Sequence, residues 1–75
     1  MASLSEITPG SRFRHYKQKD YEVLTLATDE ATEDPVVVYR ALYGDFGVWV
    51  RRVSSFCETI EFEGQTVERF SLITV

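Results

Sequence analysis

The sequence predicts an all-β domain, a small SH3-like, partly open barrel of five to six antiparallel strands. Short apolar and β-branched runs recur with turn signals about every eight to twelve residues, the spacing of a small barrel or sandwich. No stretch carries the periodicity of an amphipathic helix. Residues 35–52, PVVVYRALYGDFGVWVRR, spell out a β-hairpin around a glycine-bracketed turn. Curling so few strands covers both the core and most of the sheet edges.

Residues 1–9 are small and polar and end in Thr8-Pro9-Gly10, so they are expected as a flexible tail or one short turn ahead of a single domain at 10–75. RFRHYK (12–17) alternates charged and aromatic residues as a half-buried strand does. A tight turn at Gln18, Lys19 and Asp20 leads into YEVLTLAT (21–28), a second strand. DEATED (29–34) reads as an exposed loop, because its acids repel one another and Pro35 bars a helix from continuing. The hairpin strands 35–43 and 48–53 follow, then a single 3₁₀ or helical turn near 54–56. CETIEFE (57–63) and QTVERFSLI (65–73) close the chain as a hairpin about Gly64.

Seventy-five residues make one domain. A hydrophobic content of 44% supports a core without metals or disulfides, and 27% charged residues argue against disorder. Eight Lys and Arg against twelve Asp and Glu give a net charge of −4, the wrong sign for general nucleic-acid binding. Cys57 is the sole cysteine, which points to a reducing, cytoplasmic setting. The opening MASLSEITPG has no basic start or apolar run, unlike a signal peptide. No segment approaches the roughly 20 apolar residues of a membrane span.

The strings RFRHYKQKDYEVL and PVVVYRALYGDFGVWVRR, with Phe56, Glu58 and the late Glu68-Arg69-Phe70, carry a likeness. They resemble a bacterial family of small domains, domain of unknown function 1653, with the pattern RHYK…YEV…VVYRALYG…WVR…F.E. The match spans about residues 10–73, and YRALYG with WVR is its specific part. The resemblance implies an SH3-type barrel and no established activity. The chain departs from the pattern in three places. Thr28-Asp29-Glu30-Ala31 replaces a usual His-Ser-Glu-Thr, Arg52 stands where proline commonly follows WVR, and Glu68 where proline often precedes Arg-Phe.

The central hairpin concentrates recognition chemistry, with Tyr39, Arg40, Tyr43, Trp49 and Arg51 around one turn. A four-residue loop at 44–47 would oppose Arg40 to Arg51, which repel without a shared carboxylate. A bulged, five-residue loop pairs Tyr43 with Trp49 and Ala41 with Arg51. It sets Val36, Val38, Leu42, Val48 and Val50 on the core face, and this register is the one expected. Tyr39, Tyr43, Trp49 and Arg51 then form one aromatic-arginine surface. The bland alternative has the same aromatics capping a second core layer, with Arg51 paired to a glutamate.

The candidate partner-binding residues are Arg14, His15, Tyr39, Arg40, Tyr43, Trp49, Arg51 and Arg69. A non-catalytic binding module for a peptide, a protein or a small anionic ligand is the leading reading, as a monomer or weak homodimer. A small enzyme, or an accessory domain of one, using His15 is the second, although Cys57 has no nearby base in the sequence and reads as a buried thiol. Stacking of single-stranded nucleic acid on Trp49 and Tyr43 is the third, against the acidic charge. Neither metal nor cofactor is implied: the acids at 29–34 lack the spacing and glycine of a calcium loop.

Overall fold

The computed structural model describes residues 4–74. Strands β1 (Arg12–His15), β2 (Lys19–Thr28), β3 (Pro35–Ala41) and β4 (Val48–Arg52) lead into a single helical turn, α1 (Val53–Phe56). Strands β5 (Thr59–Phe62), β6 (Gln65–Glu68) and β7 (Phe70–Leu72) complete the chain. One antiparallel sheet has the order β4-β3-β2-β1-β7, and β5-β6 form a separate two-stranded ribbon. The five-stranded sheet is open, because its edges β4 and β7 do not pair with each other.

The expected strand 65–73 is two strands in two sheets. Glu68 pairs with Thr59 of β5, while Phe70 pairs with His15 of β1. Arg69 is the corner between them: its N–H donates to the Glu58 carbonyl at 3.0 Å, and its carbonyl accepts from the Tyr16 N–H at 3.0 Å. The β5-β6 hairpin turns as its Glu-Gly pair suggests. Glu63 and Gly64 both have positive φ (52° and 79°), the backbone a two-residue hairpin loop requires.

Cross-strand registers sort the side chains into two faces. On the core side, Leu72, Phe13, Tyr21 and Ala41 form one row, and Val23 and Tyr39 with Trp49 another. On the outer side, Arg12, Glu22, Arg40 and Val48 form a row, followed by Thr25, Val38 and Val50. A bulge at Leu24 keeps both halves of β2 in phase with β3. At the charged end of the outer face Arg12, Arg14 and Arg40 are exposed. Arg12 meets Glu22 at 3.4 Å, and Arg14 grips Asp20 with two donors, holding that carboxyl below its ordinary range.

The core consists of Ile7, Phe13, Val23, Val37, Tyr39, Phe56 and Phe70. Phe56 arrives on α1 and stacks on Phe70 at 4.1 Å with the rings 4° from parallel. Phe13 meets Phe56 edge-on at 5.1 Å. Residues 4–9 take the short-turn alternative and not the flexible tail. They form a 3₁₀ turn at Leu4–Glu6 and insert Ile7, 1% exposed, into the core, because an apolar side chain there closes the open end of the sheet. The first three residues lie outside the described part.

The hairpin register differs from both expected ones. Tyr39 faces Trp49, Val38 faces Val50 and Arg40 faces Val48. The Ala41 N–H donates to the Gly47 carbonyl at 2.9 Å, so the loop is Leu42 to Phe46, with Gly44 and Phe46 at positive φ. The Leu42 N–H donates to the Asp20 carbonyl, which draws the loop's first residue toward β2. This register reverses most of the expected faces: Val37, Tyr39 and Ala41 look inward and Val38, Val48 and Val50 look outward, while Val36 lies on the outer side but is buried, at 5% exposure. The inward choice wins because Tyr39 finds a ring cage of Tyr21, Phe56 and Phe70 at 5.3–5.6 Å.

Phe70→Ala is expected to cost about 3–5 kcal/mol, a large part of the roughly 4–11 kcal/mol a domain this size holds. Trp49→Ala, at an exposed position, is expected to cost under about 1 kcal/mol. Urea titrations followed by circular dichroism check both. A Trp49→Ala loss as large as that of Phe70→Ala would make Trp49 part of the scaffold.

Candidate functional site

The side chains with recognition chemistry gather around the Phe56–Phe70 stack, at the β4 and β7 ends of the core face. Strand β1 delivers His15 two residues after the buried Phe13, so the imidazole shares the core face yet stands at its rim. Its ring lies 4.4 Å from Tyr16 and meets Phe70 edge-on at 5.0 Å. Nδ1 accepts the Lys17 N–H at 3.2 Å, which leaves Nε2 as the other ring nitrogen. Burial pushes the imidazole pKa below its ordinary 6.5, and the positive charges of Arg51, Arg69 and Lys17 push it the same way.

Strand β4 delivers Arg51 opposite Val37, on the core face. The guanidinium sits half-buried, with its carbon 5.8 Å from the Phe70 ring centre. Nε donates to the Tyr39 hydroxyl at 3.4 Å and Nη1 to the Ser55 hydroxyl at 3.0 Å. Both partners are neutral. Among the described residues no carboxylate lies within ion-pairing distance of Arg51, so the glutamate expected as its structural partner is not there. A guanidinium carries five N–H donors, and its outer edge keeps donors unclaimed by the described residues.

Arg69 brings a second guanidinium. Its Nη2 meets Glu58 at 3.4 Å, while Nε is buried without a hydrogen-bond partner among the described residues. Three tyrosines complete the cluster. Tyr21 packs edge-on against Tyr39 and Tyr43 at 5.3 and 5.6 Å. The Tyr21 and Tyr43 hydroxyls share one hydrogen bond of 2.7 Å, and Lys19 stands 4.9 Å over the Tyr43 ring. Burial, then that hydrogen bond, raises the Tyr21 pKa, so the phenol stays protonated at neutral pH.

Of the eight residues expected to form a binding face, the structure gathers His15, Tyr39, Tyr43, Arg51 and Arg69 in and around this cluster. Tyr39 is 5% exposed and serves as its floor, with only its hydroxyl offered to Arg51. Trp49 lies on the same side but at the sheet edge, 57% exposed. Arg14 and Arg40 do not join, since the period-two alternation of β1 and β3 turns them to the outer face. Sequence reasoning missed Tyr21 and Ser55. Tyr21 lies directly opposite Phe13, a pairing that the hairpin at residues 12–28 already contains once its turn is placed at Tyr16 to Gln18.

A surface groove of about 530 Å³ lies elsewhere. It runs between Val36, Val38, Val50 and Ala27 on the outer face and the loop at Asp29–Ala31. Asp29 shapes that loop by accepting the N–H groups of Ala31 and Thr32. Cys57 is half-buried, and burial raises its thiol pKa, with Glu6 adding to the shift, so it is a poor nucleophile. No hydrogen bond links His15 to Cys57 or to a carboxylate among the described residues. Nor do any three His, Cys, Asp or Glu side chains there converge as metal ligands. No helix of the described residues is long and apolar enough to cross a membrane.

Fold and site together define a small open-sheet all-β domain with a cationic-aromatic cluster and no assigned chemistry. The chain belongs to the family described as protein of unknown function (DUF1653), whose model matches residues 11–72. A crystal structure of a member of that family from Bordetella bronchiseptica is similar, at 32% identity and a TM-score of 0.80. The likeness covers 95% of this chain and 92% of that one. No curated protein matches the chain.

His15 supplies a pH test. A base whose folded pKa is depressed binds its proton more readily in the unfolded chain. Stability is then full above pH 6.5, the unfolded value, and falls as pH drops through the lower folded value. The His15 ring is expected to titrate below 6.5 by NMR. The stability lost between pH 7 and 5 is expected to shrink in His15→Gln, and equal losses in both proteins would contradict this environment.

Proposed function

We propose that this domain is a non-catalytic binding module that receives an anionic group, a carboxylate or a phosphate, at the Arg51 cluster. One observation carries the reading: a half-buried guanidinium whose described partners are neutral hydroxyls, beside a histidine that is close to its charge and to that of Arg69. Desolvating a cation without a counter-charge costs free energy, and an incoming anion offsets that cost. Charge-assisted hydrogen bonds from a guanidinium fork are the strong ones in protein recognition. The surrounding molecule carries a net −4, so the cluster is a local exception to its own field.

The enzyme reading draws little from this geometry, because His15 has one nitrogen committed to the backbone and no hydrogen bond to a nucleophile or carboxylate among the described residues. A nucleic-acid reading draws none from the charge layout. Arg12 and Arg14 pair with acids on the outer face, Arg51 lies on the opposite one and Arg69 at the corner near His15, so the described residues form no basic stripe that could track a backbone.

Titration with succinate and with inorganic phosphate tests the reading, observed on the Arg51 side-chain N–H and His15 ring resonances. Either anion is expected to shift both signals and raise the His15 pKa, since a nearby negative charge favours the imidazolium. Arg51→Met is expected to abolish the response. Arg40→Met, on the outer face, is expected to keep it. A response equal in both variants, or none in the parent protein, would remove the site.

A further inference from the structure

Strand β4 is an edge strand of an unusual kind. Three consecutive apolar side chains stand open on it: Val48 at 50%, Trp49 at 57% and Val50 at 62% exposure. Natural sheet edges are blunted by charge, proline, bulges or a covering loop; on β4 charge stands only at Arg51 and Arg52, and the preceding triplet has neither charge nor proline. The other edge, β7, is only three residues long and buries Phe70. The backbone of β4 is also set up for pairing. Its partner residues Ala41 and Gly47 are hydrogen-bonded. Alternation along an antiparallel ladder then turns the N–H and C=O of Val48 and Val50 away from β3, toward open solvent.

We infer that β4 receives an extended segment of another protein as a sixth strand of the sheet, one that alternates apolar residues with an acidic residue. This rests on the anion reading above and names the carrier of the anion. Charge selects the occupant. Arg51 projects from the core side of β4 into the cationic cluster, so the residue opposite it is an Asp or Glu. Trp49, two residues away on the same side, takes an apolar or aromatic neighbour. On the outer side Val50 borders the groove walled by Asp29 and Glu30, so the residues there are apolar and not acidic. A second copy of this chain fits less well, because joining two β4 edges brings the Arg51 and Arg52 of both onto one seam without a carboxylate. Main-chain bonds give such strand addition its affinity, and alternate side chains give it specificity.

The probe is the capped peptide acetyl-Thr-Glu-Val-Tyr-Val-Thr-amide, titrated against the whole chain by amide NMR and by Trp49 fluorescence. Binding is expected to protect the Val48 and Val50 amides from exchange. N-methylation of the peptide's central valine is expected to weaken it by roughly tenfold or more. Arg51→Glu is expected to lose the Glu peptide and bind its Lys counterpart, while Arg52→Glu keeps the original preference. Binding that ignores N-methylation and leaves Val48 and Val50 unprotected overturns strand addition but leaves the anion site standing. So does a response to succinate without any response to the peptide. No response to either probe removes both. Concentration-dependent protection of Val48 and Val50 without peptide makes a second copy the occupant and overturns the inference.

Discussion

The ring of Phe70 lies parallel to that of Phe56, and most of the molecule is arranged around that contact. Phe56 comes from α1, a four-residue turn too short to be stable alone, and Phe70 from β7, a three-residue strand. Neither element would hold its place by backbone bonds only. Stacked together, and met edge-on by Phe13 and Tyr39, they close the space that an open five-stranded sheet leaves uncovered. In a domain this small each ring is a large share of the buried apolar area, so the fold has little redundancy.

The same ring supports the chemistry. His15 touches Phe70 edge-on, Arg51 reaches over it, and Arg69 is its chain neighbour. Aromatic support substitutes for counter-charge: the quadrupole of a ring face attracts a cation, although less strongly than a carboxylate does. This allows cationic groups to gather on a protein that is acidic as a whole. The outer face follows the opposite rule, with Arg12 and Arg14 each neutralised by the carboxylate across the strand. One sheet thus carries satisfied ion pairs on one side and cations that lack full compensation on the other.

Edge strand β4 joins these two features. Its position beside β3 is fixed by the core, through Tyr39 and Val37, yet its own side chains at Val48, Trp49 and Val50 contribute little burial. A strand kept in place by its neighbour and left apolar at its free edge is unlike one whose purpose is covering a core. Arg51 is the exception on β4, turned inward to Tyr39 and Ser55 and so coupled to the cluster.

Much was legible in the residues themselves. The all-β class, the helical turn before Cys57, the acidic loop and the Glu63-Gly64 turn follow from local rules of alternation, β propensity and backbone freedom, which a neighbouring segment does not change. The YRALYG and WVR strings pointed to the right family. What the residues left open was decided across the sheet. The hairpin register is such a case, because apolar and aromatic residues alternate on both faces of β3, so patterning alone could not choose whether Val36 and Val38 or Val37 and Tyr39 look inward. The ring cage of Tyr21, Phe56 and Phe70, built from three distant segments, made that choice. The same long-range packing broke the last strand at Arg69, drew Ile7 inward, and separated Arg14 and Arg40 from Arg51. Sequence determined which groups the domain has to offer. Tertiary packing decided which of them share a surface, since faces are assigned by contacts between segments far apart in the chain.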